Sequence, residues 1–312
     1  MSKSTLAFVF PGQGSQKVGM LADMAEKFSI VKETFAEASD ALGYKMWDLV
    51  QNGEQEQLNL TEKTQPILLT SSVALWRAWQ QKGGTMPSLL AGHSLGEFSA
   101  LVCAESLAFA DAVKLVRDRG QFMQTAVPVG EGAMAAVLGL DDDAIIAICE
   151  SASVNGTVEA VNFNSPGQVV IAGKVAAVET AISQCKEAGA KRAMALPVSA
   201  PFHTSLMKPA GVKLAEKIAA LNIRPPVIPV IHNVNSQTES DPSAIKDLLV
   251  KQIYSPVNWV GCVQYMVTNG IAATAECGPG KVLSGLNRRV HKSLSVFSLE
   301  DSTGFEKALS EC

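Results

Sequence analysis

Five residues, Gly92-His93-Ser94-Leu95-Gly96, stand between an apolar run at 88–91 and a helix-like stretch at 97–104. A chain that turns from strand to helix so abruptly needs a strained backbone, and a glycine on each side gives that turn room. The segment therefore belongs to an α/β layout. The same pentapeptide fits G-x-S-x-G and makes Ser94 a candidate nucleophile. A serine hydroxyl reacts poorly unless such a turn presents it to a base and aims backbone N–H groups at the developing oxyanion. A Gly-Ser-rich turn without chemistry looks the same in isolation, so the rest of the chain must decide.

The rhythm of the chain supports that layout. Residues 5–10 read as a buried strand, followed by the loop Pro11-Gly12-Gln13-Gly14-Ser15-Gln16 and a helix over 18–28. A buried helix at 66–81 and a short strand at 88–91 lead into the pentapeptide, and a further helix spans 110–126. From 127 to 199 the rhythm changes. Strands at 132–140, 158–162, 168–173 and 192–196 alternate with helices at 141–151 and 176–188 in the order β-α-β-β-α-β, a split βαβ unit compact enough to be an inserted subdomain. Helices at 206–221, 257–269 and after Pro279, with strands at 227–233 and 271–276, then resume the α/β pattern. The spans 1–126 and 200–312 are thus expected to form one large domain and 127–199 a small one.

Composition narrows the function classes. With 312 residues, 47% hydrophobic and 18% charged, the chain can build a large core and a smaller second one. A net charge of -4 offers no general attraction to nucleic acid or anionic membrane, leaving only local basic clusters, Lys191-Arg192 and Arg288-Arg289 with Lys292. The six cysteines are scattered with neither C-x-x-C pairs nor zinc-type spacing, which predicts reduced thiols and no metal site. The apolar run at 6–10 is broken at once by Pro11-Gly12, and no stretch approaches a membrane span, so a cytoplasmic, non-membrane protein is expected.

Only four histidines are available as a general base. His203, in Pro201-Phe202-His203-Thr204, follows the serine in chain order and stands where the chain leaves the small domain, at the junction where a cleft is expected. His93 is expected to buttress the turn, and His232 and His291 to be structural or superficial. Oxyanion donors are sought in the backbone N–H of Leu95 and in the Gly12-Gln13-Gly14 loop. That loop fails as a dinucleotide fingerprint, since Lys17 occupies its third glycine position, and Gly278-Pro279-Gly280-Lys281 lacks the phosphate-loop spacing. On the 110–126 helix, Arg119 shares a stripe with Ala112, Leu115, Val116, Phe122 and Met123, whereas Arg117 lies with Lys114, Gln121 and Gln124. An inward guanidinium needs a carboxylate, from an internal salt bridge or from a ligand.

Taken together, these segments resemble the malonyl-CoA:acyl carrier protein transacylases of bacterial type II fatty acid synthesis. The resemblance runs through Phe10-Pro11-Gly12-Gln13-Gly14-Ser15-Gln16, Thr64-Gln65-Pro66, Gly92-His93-Ser94-Leu95-Gly96-Glu97, Arg119-Gly120-Gln121-Phe122-Met123, Val161-Asn162-Phe163-Asn164, Pro201-Phe202-His203, Gln252-Ile253-Tyr254-Ser255-Pro256 and Glu276-Cys277-Gly278-Pro279-Gly280. It implies an α/β-hydrolase-like large domain with an inserted ferredoxin-like small one. It also implies roles: Ser94 as nucleophile, His203 as base and later acid, the backbone N–H groups of Gln13 and Leu95 as oxyanion hole, and Arg119 as clamp for the malonyl carboxylate. Gln252 would lie at the histidine, where a main-chain carbonyl replaces a triad acid. Gln65 and Asn162 would support the site, and the bulk of Phe202 would select malonyl over branched units.

The implied reaction is a ping-pong transfer from malonyl-CoA to the phosphopantetheine thiol of acyl carrier protein. The thioester is a substrate, no cofactor or metal is needed, and a monomer is expected. A serine thioesterase or esterase would use the same turn and histidine but has no need of an inward Arg119. A non-catalytic carrier-protein-binding subunit should have lost the nucleophile, base or clamp.

Overall fold

A computed structural model of the chain describes residues 5–198 and 200–312; Ser199, where the small domain was expected to end, lies outside the described residues. The chain opens with β1 (Leu6–Phe10), then α1 (Ala22–Lys27), α2 (Ser29–Leu42), α3 (Met46–Asn52), α4 (Gln55–Leu58) and α5 (Thr61–Gln81). Next come β2 (Leu89–Gly92), α6 (Gly96–Cys103) and α7 (Phe109–Thr125). The middle of the chain holds β3 (Gly132–Leu138), α8 (Asp142–Ala152), β4 (Val158–Ser165), β5 (Gln168–Lys174), α9 (Val175–Glu187) and β6 (Arg192–Ala195). The remainder is α10 (Lys208–Ala219), β7 (Val230–Ile231), α11 (Pro242–Gln252), β8 (Val257–Asn258), α12 (Trp259–Thr268), β9 (Ala273–Glu276), α13 (Val282–Val290), β10 (Ser295–Ser298) and α14 (Ser302–Glu311).

Two five-stranded sheets result. The first is parallel throughout, in the order β10-β9-β1-β2-β7. Its central strand β1 is buried at every position, which explains the uninterrupted apolar run: a parallel strand covered by helices on both faces has no polar side. Phe8 and Phe10 enter the larger core, where Phe8 meets Trp76 and Trp79 of α5 edge-on at 5.5 and 5.2 Å, whereas Ala7 and Val9 enter the core beneath α12 and α13. Both helix layers are thereby locked to one strand.

The second sheet has the order β6-β3-β5-β4-β8 and contains the expected β-α-β-β-α-β succession from β3 to β6. β3, β5, β4 and β6 pair antiparallel, and β8 from the later chain adds a short parallel pairing on β4. One face packs Val137, Ile171 and Val169 against α8 and α9. The other face carries Met134, Val161, Val170 and Ala172, with Phe202 packed against them.

Several boundaries differ from the sequence reading for identifiable reasons. The helix expected over 18–28 is confined to α1, entered through Leu21 in the left-handed region at φ 61°. The strand expected over 227–233 shrinks to two residues; Pro225, Pro226 and Pro229 have no N–H to give to a ladder, and only the Pro229 carbonyl joins in, accepting from Leu90 N at 2.9 Å. Val257 and Asn258 leave the expected helix to pair with β4, and the Asn258 side chain caps α12 by accepting from Gly261 N at 2.9 Å. Helices α2, α3, α4, α11 and α14 and strand β10 lie outside the elements predicted from the sequence.

Among the described residues no helix is long and apolar enough to cross a membrane, and no group of three or more His, Cys, Asp or Glu side chains could hold a metal ion. All six cysteines are free.

Candidate active site

The turn after β2 is as tight as its glycines demand. A Cβ on Gly92 would lie 1.8 Å from the Gly96 carbonyl carbon, and one on Gly96 would lie 2.0 Å from the Phe10 oxygen. Ser94 between them has φ 52°, a left-handed conformation that costs a non-glycine residue about 1–2 kcal/mol. Asn233, at the end of β7, holds this turn from outside. Its Oδ1 accepts from Ser94 N at 2.7 Å and its Nδ2 donates to Gly92 O at 2.7 Å.

His203 meets the serine from the segment joining the two sheets. Its Nε2 lies 2.7 Å from Ser94 Oγ and its Nδ1 lies 2.8 Å from the main-chain oxygen of Gln252. A carbonyl only accepts, so Nδ1 carries the proton and Nε2 is left bare to take the serine proton. The ring is 3% exposed, and His203 too is left-handed, at φ 65°. Burial, reinforced by the Arg119 charge and partly offset by the bond to Gln252, pushes its pKa down to about 3. The imidazole is therefore neutral at neutral pH, as a general base must be.

Arg119 on α7 faces inward as its spacing requires, 2% exposed, while Arg117 turns outward and pairs with Asp118 at 2.7 Å. Its Nη1 donates to Gln65 Oε1 at 2.7 Å, and its Nη2 to Gln252 Oε1 at 2.9 Å and to Ser94 Oγ at 3.1 Å. The guanidinium carbon lies 5.2 Å from the centre of the Phe98 ring. Burial draws its pKa down to about 9, against the opposing influence of Glu97.

Gln252, the last residue of α11, ties these parts together. Beyond the bonds to His203 and Arg119, its Nε2 donates to Ser94 O at 2.9 Å and to Glu97 Oε2 at 2.8 Å. A cleft of about 890 Å³ opens between the sheets and is lined by Gln13, Gln65, His93, Ser94, Arg119, Asn162, Phe202 and His203. Asn162 Oδ1 is buried in its wall without a hydrogen-bond partner among the described residues. The N–H groups of Gln13, in the loop after β1, and of Leu95, just after the serine, likewise donate to no acceptor among the described residues. Leu95 and Gln252 are themselves buried at 1% and 0% exposure, behind the wall of the cleft.

All nine residues singled out from the sequence thus converge on one region. Sequence reasoning missed Glu97, Asn233 and Asn164. Glu97 ends the run Gly92-His93-Ser94-Leu95-Gly96-Glu97, yet nothing in the pattern says that it is fully buried, accepting from His232 Nδ1 at 2.7 Å and Asn233 N at 3.0 Å. His93, expected to buttress the turn, has its Nε2 2.8 Å from Asn164 Oδ1 on β4 and so links the turn to the second sheet. His232 is buried, not superficial. The clusters Lys191-Arg192 and Arg288-Arg289 with Lys292 are exposed.

Comparison with known proteins matches residues 7–301 to the acyl transferase domain family. The malonyl CoA-acyl carrier protein transacylase of Salmonella typhimurium is 56% identical over 305 residues, covering 98% of this chain and 99% of that protein; its namesake in Bacillus subtilis is 45% identical over 307 residues, covering 98% and 96%. Among solved structures, an acyl carrier protein S-malonyltransferase from Vibrio cholerae superposes with a TM-score of 0.96 at 56% identity, covering 97% of this chain and 99% of that one. A malonyl-transacylase in complex with its type II polyketide-synthase acyl-carrier protein superposes with a TM-score of 0.98 at 51% identity over 100% of both chains.

Proposed function

We infer the activity from one premise: this chain belongs to the acyl transferase family, alongside the malonyl CoA-acyl carrier protein transacylases. It transfers the malonyl group from malonyl-CoA to acyl carrier protein. We propose that the transfer runs in two half-reactions through a malonyl ester of Ser94. The observation that carries this reading is the position of Ser94 Oγ, 2.7 Å from a bare imidazole nitrogen and 3.1 Å from a guanidinium nitrogen.

In the first half-reaction the malonyl carboxylate takes the fork of Arg119 and His203 Nε2 accepts the Ser94 proton as Oγ attacks the thioester carbon. The oxyanion is met by the N–H groups of Gln13 and Leu95, and CoA departs as its thiol with the proton from His203. In the second, the phosphopantetheine thiol gives its proton to His203 and takes the malonyl group, regenerating Ser94. One thioester replaces another, so the enzyme's task is to exclude water from the ester, and the cleft walls contributed by Phe202 and the second sheet suit that. Gln65 and Gln252 hold Arg119, Asn162 faces the incoming chain, and Phe202 restricts the space for branched acyl groups.

The reaction so drawn uses no cofactor or metal, and we take the protein to act as a cytoplasmic monomer in fatty acid synthesis, its exposed basic clusters receiving an acidic carrier protein. We further read the parallel sheet with its helices, 1–126 and 200–312, as an α/β-hydrolase-like domain and 127–199 as a ferredoxin-like insertion. The β3-to-β6 order and the strand order β6-β3-β5-β4 support that reading.

Intact-mass measurement after mixing with malonyl-CoA tests the proposal. A stable malonyl adduct that is absent in Ser94→Ala and discharged by acyl carrier protein is expected; steady release of free malonate without carrier protein would make the chain a thioesterase instead.

A further inference from the structure

Arg119 is a buried cation with no acid against it. Its three hydrogen bonds end on neutral oxygens, of Gln65, Gln252 and Ser94, and among the described residues no Asp or Glu oxygen lies within ion-pair distance of it. Such a charge is costly to bury unless a counter-charge is near. The structure supplies one at a single remove. The Gln252 side chain is clasped from both sides, its Oε1 accepting from Arg119 Nη2 at 2.9 Å and its Nε2 donating to Glu97 Oε2 at 2.8 Å.

We propose that Glu97 is a positioning residue that keeps Arg119 charged from behind, and that Gln252 is a neutral spacer that keeps the guanidinium unpaired and free for a substrate carboxylate. The inference rests on the malonyl-transfer reading above and deepens it. A direct Glu97–Arg119 ion pair would fill the fork with an internal carboxylate, and substrate would have to displace it. With an amide between them, Coulomb attraction through the low-dielectric interior persists while the guanidinium holds only neutral partners that a substrate carboxylate can displace, and its Nε has no partner among the described residues.

The surroundings fit this arrangement. Glu97 is fully buried and its oxygens are held by His232 Nδ1, Asn233 N and Gln252 Nε2, so it is fixed in place and takes no bond from Arg119 itself. Around Arg119, α5 and α11 present the neutral amides Gln65 and Gln252, and α6 presents Glu97 and the Phe98 ring. The titratable groups on the remaining sides are His203 and, at the turn, His93, both depressed by burial and so neutral. The Glu97 charge is what opposes the lowering of Arg119 by burial.

The test measures malonyl loading of Ser94 by intact mass from pH 6 to 9.5, alongside sulfonylation of the same serine by the uncharged phenylmethanesulfonyl fluoride. In Glu97→Gln, His232 can shift its proton to Nε2 and accept from the new amide, so the fold has a route to keep its bonds. The expected result is a loss of malonyl loading, relative to sulfonylation, of about threefold at pH 8.5 and about eightfold at pH 9.5 that recovers toward pH 6.5, an alkaline limb displaced downward by about one unit. An unchanged ratio at every pH, or an equal loss of both reactions, overturns the proposal. Gln252→Glu puts a carboxylate in contact with Arg119 and should cut malonyl loading about 100-fold more than it cuts sulfonylation; malonyl loading that falls no more than sulfonylation refutes the spacer role. That variant decides alone if circular dichroism finds Glu97→Gln unfolded. Wild-type protein that takes no malonyl on Ser94 refutes the transfer reading instead.

Discussion

The backbone N–H of Ser94 donates to the side chain of Asn233 at 2.7 Å, a bond between residues 139 apart in sequence. The same side-chain amide donates back to Gly92 O, and the main-chain N–H of Asn233 donates to Glu97 Oε2. A left-handed serine survives only where its surroundings over-determine it, and Asn233 is what does so here.

Replacing Asn233 with Ala therefore leaves a buried N–H and a buried C=O unpaired. The expected cost is about 2–4 kcal/mol of stability, together with slower acylation from a relaxed turn. Chemical denaturation and single-turnover loading of the variant check both; unchanged stability and rate would remove Asn233 from this role.

His203 gives a pH signature. Its pKa is pushed down to about 3, so the base is not protonated as pH falls through the usual histidine range. Acylation of Ser94 should show no loss of rate centred near pH 6.5. Stability moves differently: the unfolded chain binds a proton at about pH 6.5 and the folded one only at about pH 3, so stability falls as pH drops between those values. A rate limb near 6.5 would mean that burial does not govern this ring.

Arg119 serves binding and folding together. Arg119→Ala opens a buried cavity and leaves Gln65 Oε1 and Gln252 Oε1 without their donor, so its melting temperature should fall. Malonyl loading should fall by about 100-fold while loading of an uncharged acetyl group from acetyl-CoA does not fall. Equal effects on both acyl groups would contradict a carboxylate clamp.

Gly96 tests the geometry of the turn. A methyl group there would sit 2.0 Å from the Phe10 carbonyl oxygen, and neither backbone can yield without parting β1 from the turn. Gly96→Ala should destabilise the fold by about 3 kcal/mol or more and abolish loading, as read from thermal melts and the malonyl adduct. Gly285→Ala, where nothing lies within 4 Å of the added methyl, serves as the control.

What the sequence determined by itself was local and periodic. The apolar run of β1, the glycines flanking Ser94, the inward stripe that carries Arg119 and the β-α-β-β-α-β order are all properties of neighbouring residues, and short-range sterics and burial fix them wherever the rest of the chain goes. Only the tertiary structure decided what these pieces meet. Gln252 was named for a main-chain carbonyl, but its side chain lies between Arg119 and Glu97 because α11, which no periodicity had singled out, ends beside the turn. Asn233 and Glu97 carry no local signal either. Their worth lies in buried hydrogen bonds across more than 130 residues, and such bonds exist only once the two sheets and their helices have closed around them.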